Sequence, residues 1–210
     1  MYSKLLACMA SLLAAAAPLA VAANVATGAN VSTTGSGFGL SNGWGVGTLA
    51  APSSLVDGAF VADGQQWNLG TVYWQGDATD SADTITISLS HAATVTGLLL
   101  QGDNNDSYVV SYEALDGTWH TLPDGFSPHG TVADPGAGSV GWGMGVSAQS
   151  FAAITAQAFR INAGGDQSYA VSEFQVTGEF LPTVPEPASG LLLLAGLGAL
   201  GAMARRRAVR

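Results

Sequence analysis

The chain has 210 residues, 48% hydrophobic and 10% charged, with one cysteine and a formal net charge of −9. That length holds one packed domain plus targeting segments, and the acidity excludes nucleic acid or an anionic lipid surface as the domain's partner. Cys8 is the only cysteine, so no intrachain disulfide ties the fold together.

The N-terminus carries Lys4, runs apolar from Leu5 to Ala17 and ends in the small residues Ala20-Val21-Ala22-Ala23. A short positive region, an apolar stretch too short for a comfortable span and an A-x-A-like end predict a secretory signal peptide over residues 1–23, cleaved after Ala22 or Ala23. Cys8 lies within it, and the mature chain is then free of cysteine. At the other end, Val184-Pro185-Glu186-Pro187 precedes an apolar stretch over 188–204 and then Arg205-Arg206-Arg207. Seventeen apolar residues span about 25 Å as a helix, near the lower limit for crossing a bilayer. Arginines belong on the cytoplasmic side, and prolines suit a helix's first turn. By itself this predicts a C-terminal transmembrane helix.

The order of Pro185-Glu186-Pro187, a Leu/Gly/Ala helix and Arg205-Arg206-Arg207 resembles the PEP-CTERM sorting tail of Gram-negative bacteria, here at 182–210. The resemblance implies export through the inner membrane and processing by exosortase, a membrane protease-transpeptidase. It also implies a final place at the cell surface or in the extracellular matrix.

Setting the two ends aside changes the charge. Lys4, Arg205, Arg206, Arg207 and Arg210 all lie in the terminal segments, which leaves Arg160 as the one basic residue of 24–181. Fifteen acids less Glu186 leave fourteen, and one base against fourteen acids is a formal charge of −13. A surface of that kind stays soluble and attracts divalent cations.

Residues 24–47, rich in Gly, Ser, Thr and Asn, predict loops and short edge strands. From Thr84, alternation of Ile85, Ile87 and Leu89 with polar residues predicts a half-buried strand, and 95–100 a more buried one. Strands are predicted at 108–115 and 118–122, joined by Asp116-Gly117 in a type I′ turn, and at 154–161 and 170–180. The Gly-rich stretch 124–145 reads as a long loop. No long 3.6 period interrupts the series, so the fold class is all-β, a single β-sandwich of jelly-roll type over 24–181.

A second resemblance rests on Leu55-Val56-Asp57-Gly58, Trp67, the hairpin through Trp119, Phe159-Arg160-Ile161 and Tyr169-Ala170-Val171-Ser172-Glu173-Phe174. These resemble the discoidin, or coagulation-factor type C, branch of galactose-binding-like jelly rolls. The resemblance implies a structural calcium held by Asp57 and Glu173 with backbone carbonyls around Asp57. Read without it, Asp57 is a turn residue bonding its own backbone and Glu173 a buried partner of Arg160.

Catalytic motifs are missing: His91, His120 and His129 neighbour no nucleophile motif, and there is neither G-x-S-x-G nor H-E-x-x-H. Gly136, Gly138 and Gly141 have dinucleotide-fingerprint spacing but follow Asp134-Pro135 rather than a strand. Asp103-Asn104-Asn105-Asp106-Ser107 begins like an EF-hand loop, yet Tyr108 stands where the sharp turn needs glycine and Ala114 where a bidentate Glu belongs. The loop either binds a cation or a sugar or simply turns the chain. Trp67, Tyr73 and Trp74 in a Gly- and Asp-rich setting are either core or a stacking platform, since aromatic faces beside carboxylates and amides make a sugar site. The expected ligand site is Trp67, Trp74, Asp103, Asn105, Asp106 and Tyr108. The expected function is non-catalytic, an exported module bound to or embedded in exopolysaccharide of a biofilm matrix, with calcium support. The alternatives are a structural matrix protein without a ligand site and a glycoside-acting enzyme.

Overall fold

The computed structural model describes residues 22–41, 43–76, 83–122 and 143–182. The predicted signal segment through residue 21, the tail with Pro185, Glu186 and Pro187, the helix predicted over 188–204, Arg205–Arg207, the glycines 136–141 and His129 lie outside them. Among the described residues no helix is long and apolar enough to cross a membrane.

The nine strands of the described residues are β1 (Ala23–Asn24), β2 (Asn30–Thr34), β3 (Thr48–Leu49), β4 (Leu69–Gln75), β5 (Thr84–Asp103), β6 (Ser107–Glu113), β7 (Trp119–Thr121), β8 (Met144–Gly164) and β9 (Ser168–Phe180). A 3-10 turn over Pro52–Val56 packs Leu55 and Val56 into the core. The hydrogen-bonded order is β3-β4-β9-β5-β8-β6-β7, with β1 on β9 and β2 on β5.

Two long strands make one sheet into a sandwich. The first part of β5 pairs β2 and the end of β8, while its second part pairs β9 and the start of β8. The register shifts between Ser88 and Ala93, where an irregularity lets the strand change layers. One layer is therefore β2, early β5, late β8, β6 and β7, and the other is β3, β4, β9, late β5 and early β8. Sequence reading separates 84–89 from 95–100 and starts the β8 strand at 154. The structure joins the first pair into one strand and begins β8 at Met144.

Ile85, Ile87, Tyr108, Val110, Phe159 and Ile161 of the first layer face Val72, Trp74, Leu100, Tyr169, Val171 and Phe174 of the second. Trp74 meets Tyr108 edge-on at 6.4 Å between ring centroids, and Phe159 meets Phe174 at 5.6 Å. Behind the second layer lies a smaller cluster of Trp67, Tyr73, Met144 and Ala170, with Trp44 and Val61 packed against it. Gln101 holds the covering segment down: its Nε2 donates to Val61 O and its Oε1 accepts from Val61 N, both at 3.0 Å.

The 113–119 connection differs from the predicted type I′ turn. Gly117 N donates to Ala114 O at 3.0 Å and only Gly117 has a positive φ, +82°, so the turn is type I closed by a glycine bulge. Asp116 keeps the negative φ of the third residue of a type I turn, and its carboxylate accepts from Thr118 N at 3.0 Å and Thr118 Oγ1 at 2.6 Å.

Trp74 is 1% exposed between the layers. Trp74→Ala is expected to lower stability by about 3–5 kcal/mol, as deletion of a buried tryptophan does. Urea denaturation followed by tryptophan fluorescence measures it, and a loss under about 1 kcal/mol would contradict this packing.

Candidate functional site

Two carboxylate sites and one sheet face bear on function. The first is where the 3-10 turn meets β9. Asp57 ends that turn, exposed, with Oδ1 accepting from Ala59 N at 2.8 Å. Glu173 is fully buried; Gln175 Nε2 donates to its Oε1 at 3.1 Å, while Oε2 has no partner among the described residues. Burial pushes the Glu173 carboxyl up to about 7; the Gln175 hydrogen bond opposes this, and the charge of Asp57 adds to the rise. The charge of Asp57 at the end of the 3-10 turn thus reaches Glu173 on β9. Arg160 does not reach Glu173. It lies on the outside of the other layer, its guanidinium carbon 3.8 Å from the centre of the Trp119 ring, which corrects the reading of an Arg160–Glu173 pair.

The second site is the β5–β6 turn and the β8–β9 connection that closes on it. Asp103 and Asp106 are 1% and 4% exposed, and Asp103 Oδ1, Asn104 Oδ1 and Asp106 Oδ2 are buried without partners among the described residues. Asp106 Oδ1 accepts from Asp166 N at 3.2 Å, and Gly165 sits so close that an added Cβ would lie 2.0 Å from that oxygen. Asn105 is exposed and donates through Nδ2 to Asp166 Oδ2 at 2.8 Å. Burial raises Asp103 to about 8, and the charges of Asp106 and Asp166 push the same way. Burial likewise raises Asp106 to about 7, opposed by the Asp166 amide.

Beneath this turn, Tyr108 Oη donates to Ala170 O at 2.8 Å and accepts from Asp103 N at 3.0 Å. Tyr108 is 0% exposed, and Trp67 and Trp74 are 1% each. These three rings cannot stack on a ligand, and the aromatic half of the expected sugar site is corrected accordingly. Trp74 and Tyr73 point to opposite faces of β4, but segment 44–67 covers the outer face, so both are buried. Asp103, Asn105 and Asp106 do come together in one turn.

Sequence reading gave Trp119 no role. It half-emerges on the outer face of the first layer, where strand register sets Ser32, Thr86, Arg160, Ser111 and Thr121 in one row across five strands. The adjacent row is Asn30, Ser88, Ala158, Glu113 and Trp119. The signal that could have found it is polar alternation opposite Ile85, Ile87, Phe159 and Ile161.

Residues 183–207 match the PEP-CTERM protein-sorting motif. No curated protein matches the chain. Among solved structures, a chitosan-binding module 1 from a chitosanase/glucanase of Paenibacillus sp. IK-5 is 20% identical, with a TM-score of 0.47 over 74% of this chain and 99% of that one. The family 32 carbohydrate-binding module from C. perfringens NanJ, solved with galactose, is 16% identical, with a TM-score of 0.47 over 74% and 97%. A Streptococcus pneumoniae fucose binding module is 11% identical, with a TM-score of 0.48 over 75% and 96%. The tail read from sequence has its counterpart in this motif.

The raised carboxyls set a pH dependence. A carboxyl that titrates near 8 when folded and near 3.8 when unfolded binds more protons in the native state between those values, so stability falls as pH rises through that window. In metal-free buffer the melting temperature is expected to drop between about pH 5 and about pH 8.5, and Asp103→Asn to flatten that slope. Calorimetry across pH measures it; an unchanged slope in Asp103→Asn would refute the assignment.

Proposed function

We propose that the chain is an exported, non-catalytic module that binds extracellular polysaccharide on the outer face of its first layer. The observation that carries this reading is the Arg160–Trp119 pair set among rows of Ser, Thr and Asn side chains on a sheet face five strands wide. At about 4.8 Å per strand the face is roughly 19 Å across, enough for several sugar rings. Hydroxyl and amide side chains exchange hydrogen bonds with sugar hydroxyls, an indole offers a face to ring C–H groups, and Arg160 fixes that indole while presenting further N–H donors. The ligand class agrees with those named for the similar structures, chitosan, galactose and fucose, and the weight of the proposal lies on the face itself. The sorting motif supports the rest: anchorage in the inner membrane, processing by exosortase, and a final place in a matrix of exopolysaccharide such as a biofilm.

Calcium support belongs to the same proposal. A buried carboxylate with an unpartnered oxygen beside a second carboxylate fits a hard cation, with Glu173 and Asp57 as ligands and backbone oxygens completing the shell. Its chemistry there is structural, neutralising Glu173 and fixing the 3-10 turn against β9.

Three measurements test these parts. Trp119→Ala is expected to weaken retention on the polysaccharide it binds at least about tenfold, or 1.4 kcal/mol, at unchanged melting temperature. If a broad polysaccharide panel retains none of the protein, the binding reading fails and the matrix protein without a ligand site replaces it. Calcium at a hundred times its dissociation constant is expected to stabilise the fold by about 2.7 kcal/mol, a rise on the order of 5–10 °C, with Glu173→Gln removing the share due to this site. Identical responses to calcium in wild type and Glu173→Gln would exclude it. Replacing Pro185, Glu186 and Pro187 by alanine is expected to leave unprocessed chain in the inner membrane, and mature surface material ending at Arg210 would disprove processing.

A further inference from the structure

Four of the six buried side-chain atoms that have no hydrogen-bond partner among the described residues lie in one place: Asp103 Oδ1, Asn104 Oδ1, Asp106 Oδ2 and Tyr169 Oη. The first three are oxygens of a single four-residue turn, closed by Asp106 N donating to Asp103 O. Buried polar atoms are almost always satisfied, and an unmatched acceptor costs about 1–3 kcal/mol, more when charged. Three together on one turn mark a missing electropositive partner. Among the described residues none supplies it, since their one basic side chain besides histidine, Arg160, is engaged with Trp119 on the outer face.

We propose that this turn is a second calcium site, distinct from Asp57 and Glu173, with Asp103 Oδ1, Asn104 Oδ1 and Asp106 Oδ2 as its side-chain ligands. A hard cation that takes 6–8 oxygens, acidic and amide together, suits this donor set, which lacks nitrogen and sulfur. Among the described residues no three His, Cys, Asp or Glu side chains are placed to hold a metal by themselves. In this proposal two carboxylates and one amide oxygen share the role, with backbone oxygens and water filling the shell.

The surroundings hold these ligands in place. Asp166 stands behind as a positioning residue: its Oδ2 accepts from Asn105 Nδ2 at 2.8 Å, its Oδ1 from Ser168 N at 3.0 Å, and its N–H fixes Asp106 Oδ1. Tyr108 Oη anchors the backbone of Asp103 to β9. Tyr169, 1% exposed, brings its unpartnered hydroxyl into the field of the Asp106 carboxylate. Gly165 leaves the carboxylate of Asp106 the space any side chain would take. The site would tie the β5–β6 turn to the β8–β9 connection at one end of the sandwich.

The test uses the full chain in detergent with Glu173→Gln as background, so that loss of the other candidate site cannot be mistaken for loss of this one. Calcium chloride is the probe, read by equilibrium dialysis and by melting temperature against chelator. The background variant is expected to bind one calcium ion and to melt on the order of 5–10 °C higher at a hundred times the dissociation constant. Adding Asp103→Asn and Asp106→Asn is expected to abolish both effects, while the chelated protein melts no lower than the background, because two buried acids become neutral amides. Asn104→Ala and Gly165→Ala, each alone, are expected to weaken calcium binding tenfold or more. Failure of the background variant to bind calcium overturns the proposal, as does equal binding with and without Asp103 and Asp106. Neither result touches the polysaccharide face.

Discussion

A domain with fourteen acids and one base must bury carboxylates without a cation of its own, and the architecture follows from how it does so. Arg160 lies on the outside of the first layer against Trp119. Asp103, Asp106 and Glu173 are buried elsewhere, and each keeps an oxygen with no donor among the described residues. Burying a charge without a partner costs far more than burying a hydroxyl, and the alternatives are to hold a proton or to take up a cation. The raised titration of all three carboxyls expresses the first alternative and the oxygen-rich surroundings allow the second.

The acidic turn owes its position to the core. Tyr108 lies between the layers against Trp74, and its hydroxyl joins Asp103 on β5 to Ala170 on β9. One phenol thus couples three strands and holds the loop that bears the carboxylates. The opposite surface of the second layer is closed by segment 44–67, clamped through Gln101 and filled by Trp67 and Trp44 in an edge-on pair at 6.4 Å. Among the described residues no segment lies over the outer face of the first layer, and Arg160, the one basic residue of 24–181, sits there among hydroxyl side chains.

The β character, the strands read at 84–89, 108–115 and 170–180 and the sorting tail were legible because each rests on local pattern: alternation, turn residues or contiguous motif. Resemblance pointed to Asp57 and Glu173; the structure places one at the end of the 3-10 turn and the other on β9, close enough for the charge of Asp57 to act on Glu173. What the sequence left open was whether tryptophan beside glycine and aspartate is core or a stacking platform. Trp67 and Trp74 lie in such segments, yet one fills a satellite core and the other the main one, because whether a strand's second face is covered depends on a distant segment.

The sequence by itself determined the class of fold, the charge of −13 over 24–181 and the sorting motif at 183–207, since composition, local periodicity and contiguous motif carry these. It also determined that the Asp103–Asp106 segment would be polar and tight. Only the tertiary structure decided which aromatics are buried, that Arg160 meets Trp119 rather than Glu173, and that the β8–β9 connection closes over Asp106. Those outcomes depend on the register of β5 against β8 and β9, whose partners, from Asp103 with Met144 to Ala93 with Phe180, are far apart along the chain. A one-residue slip there would exchange the inner and outer faces, and no local pattern encodes which partner a strand will find.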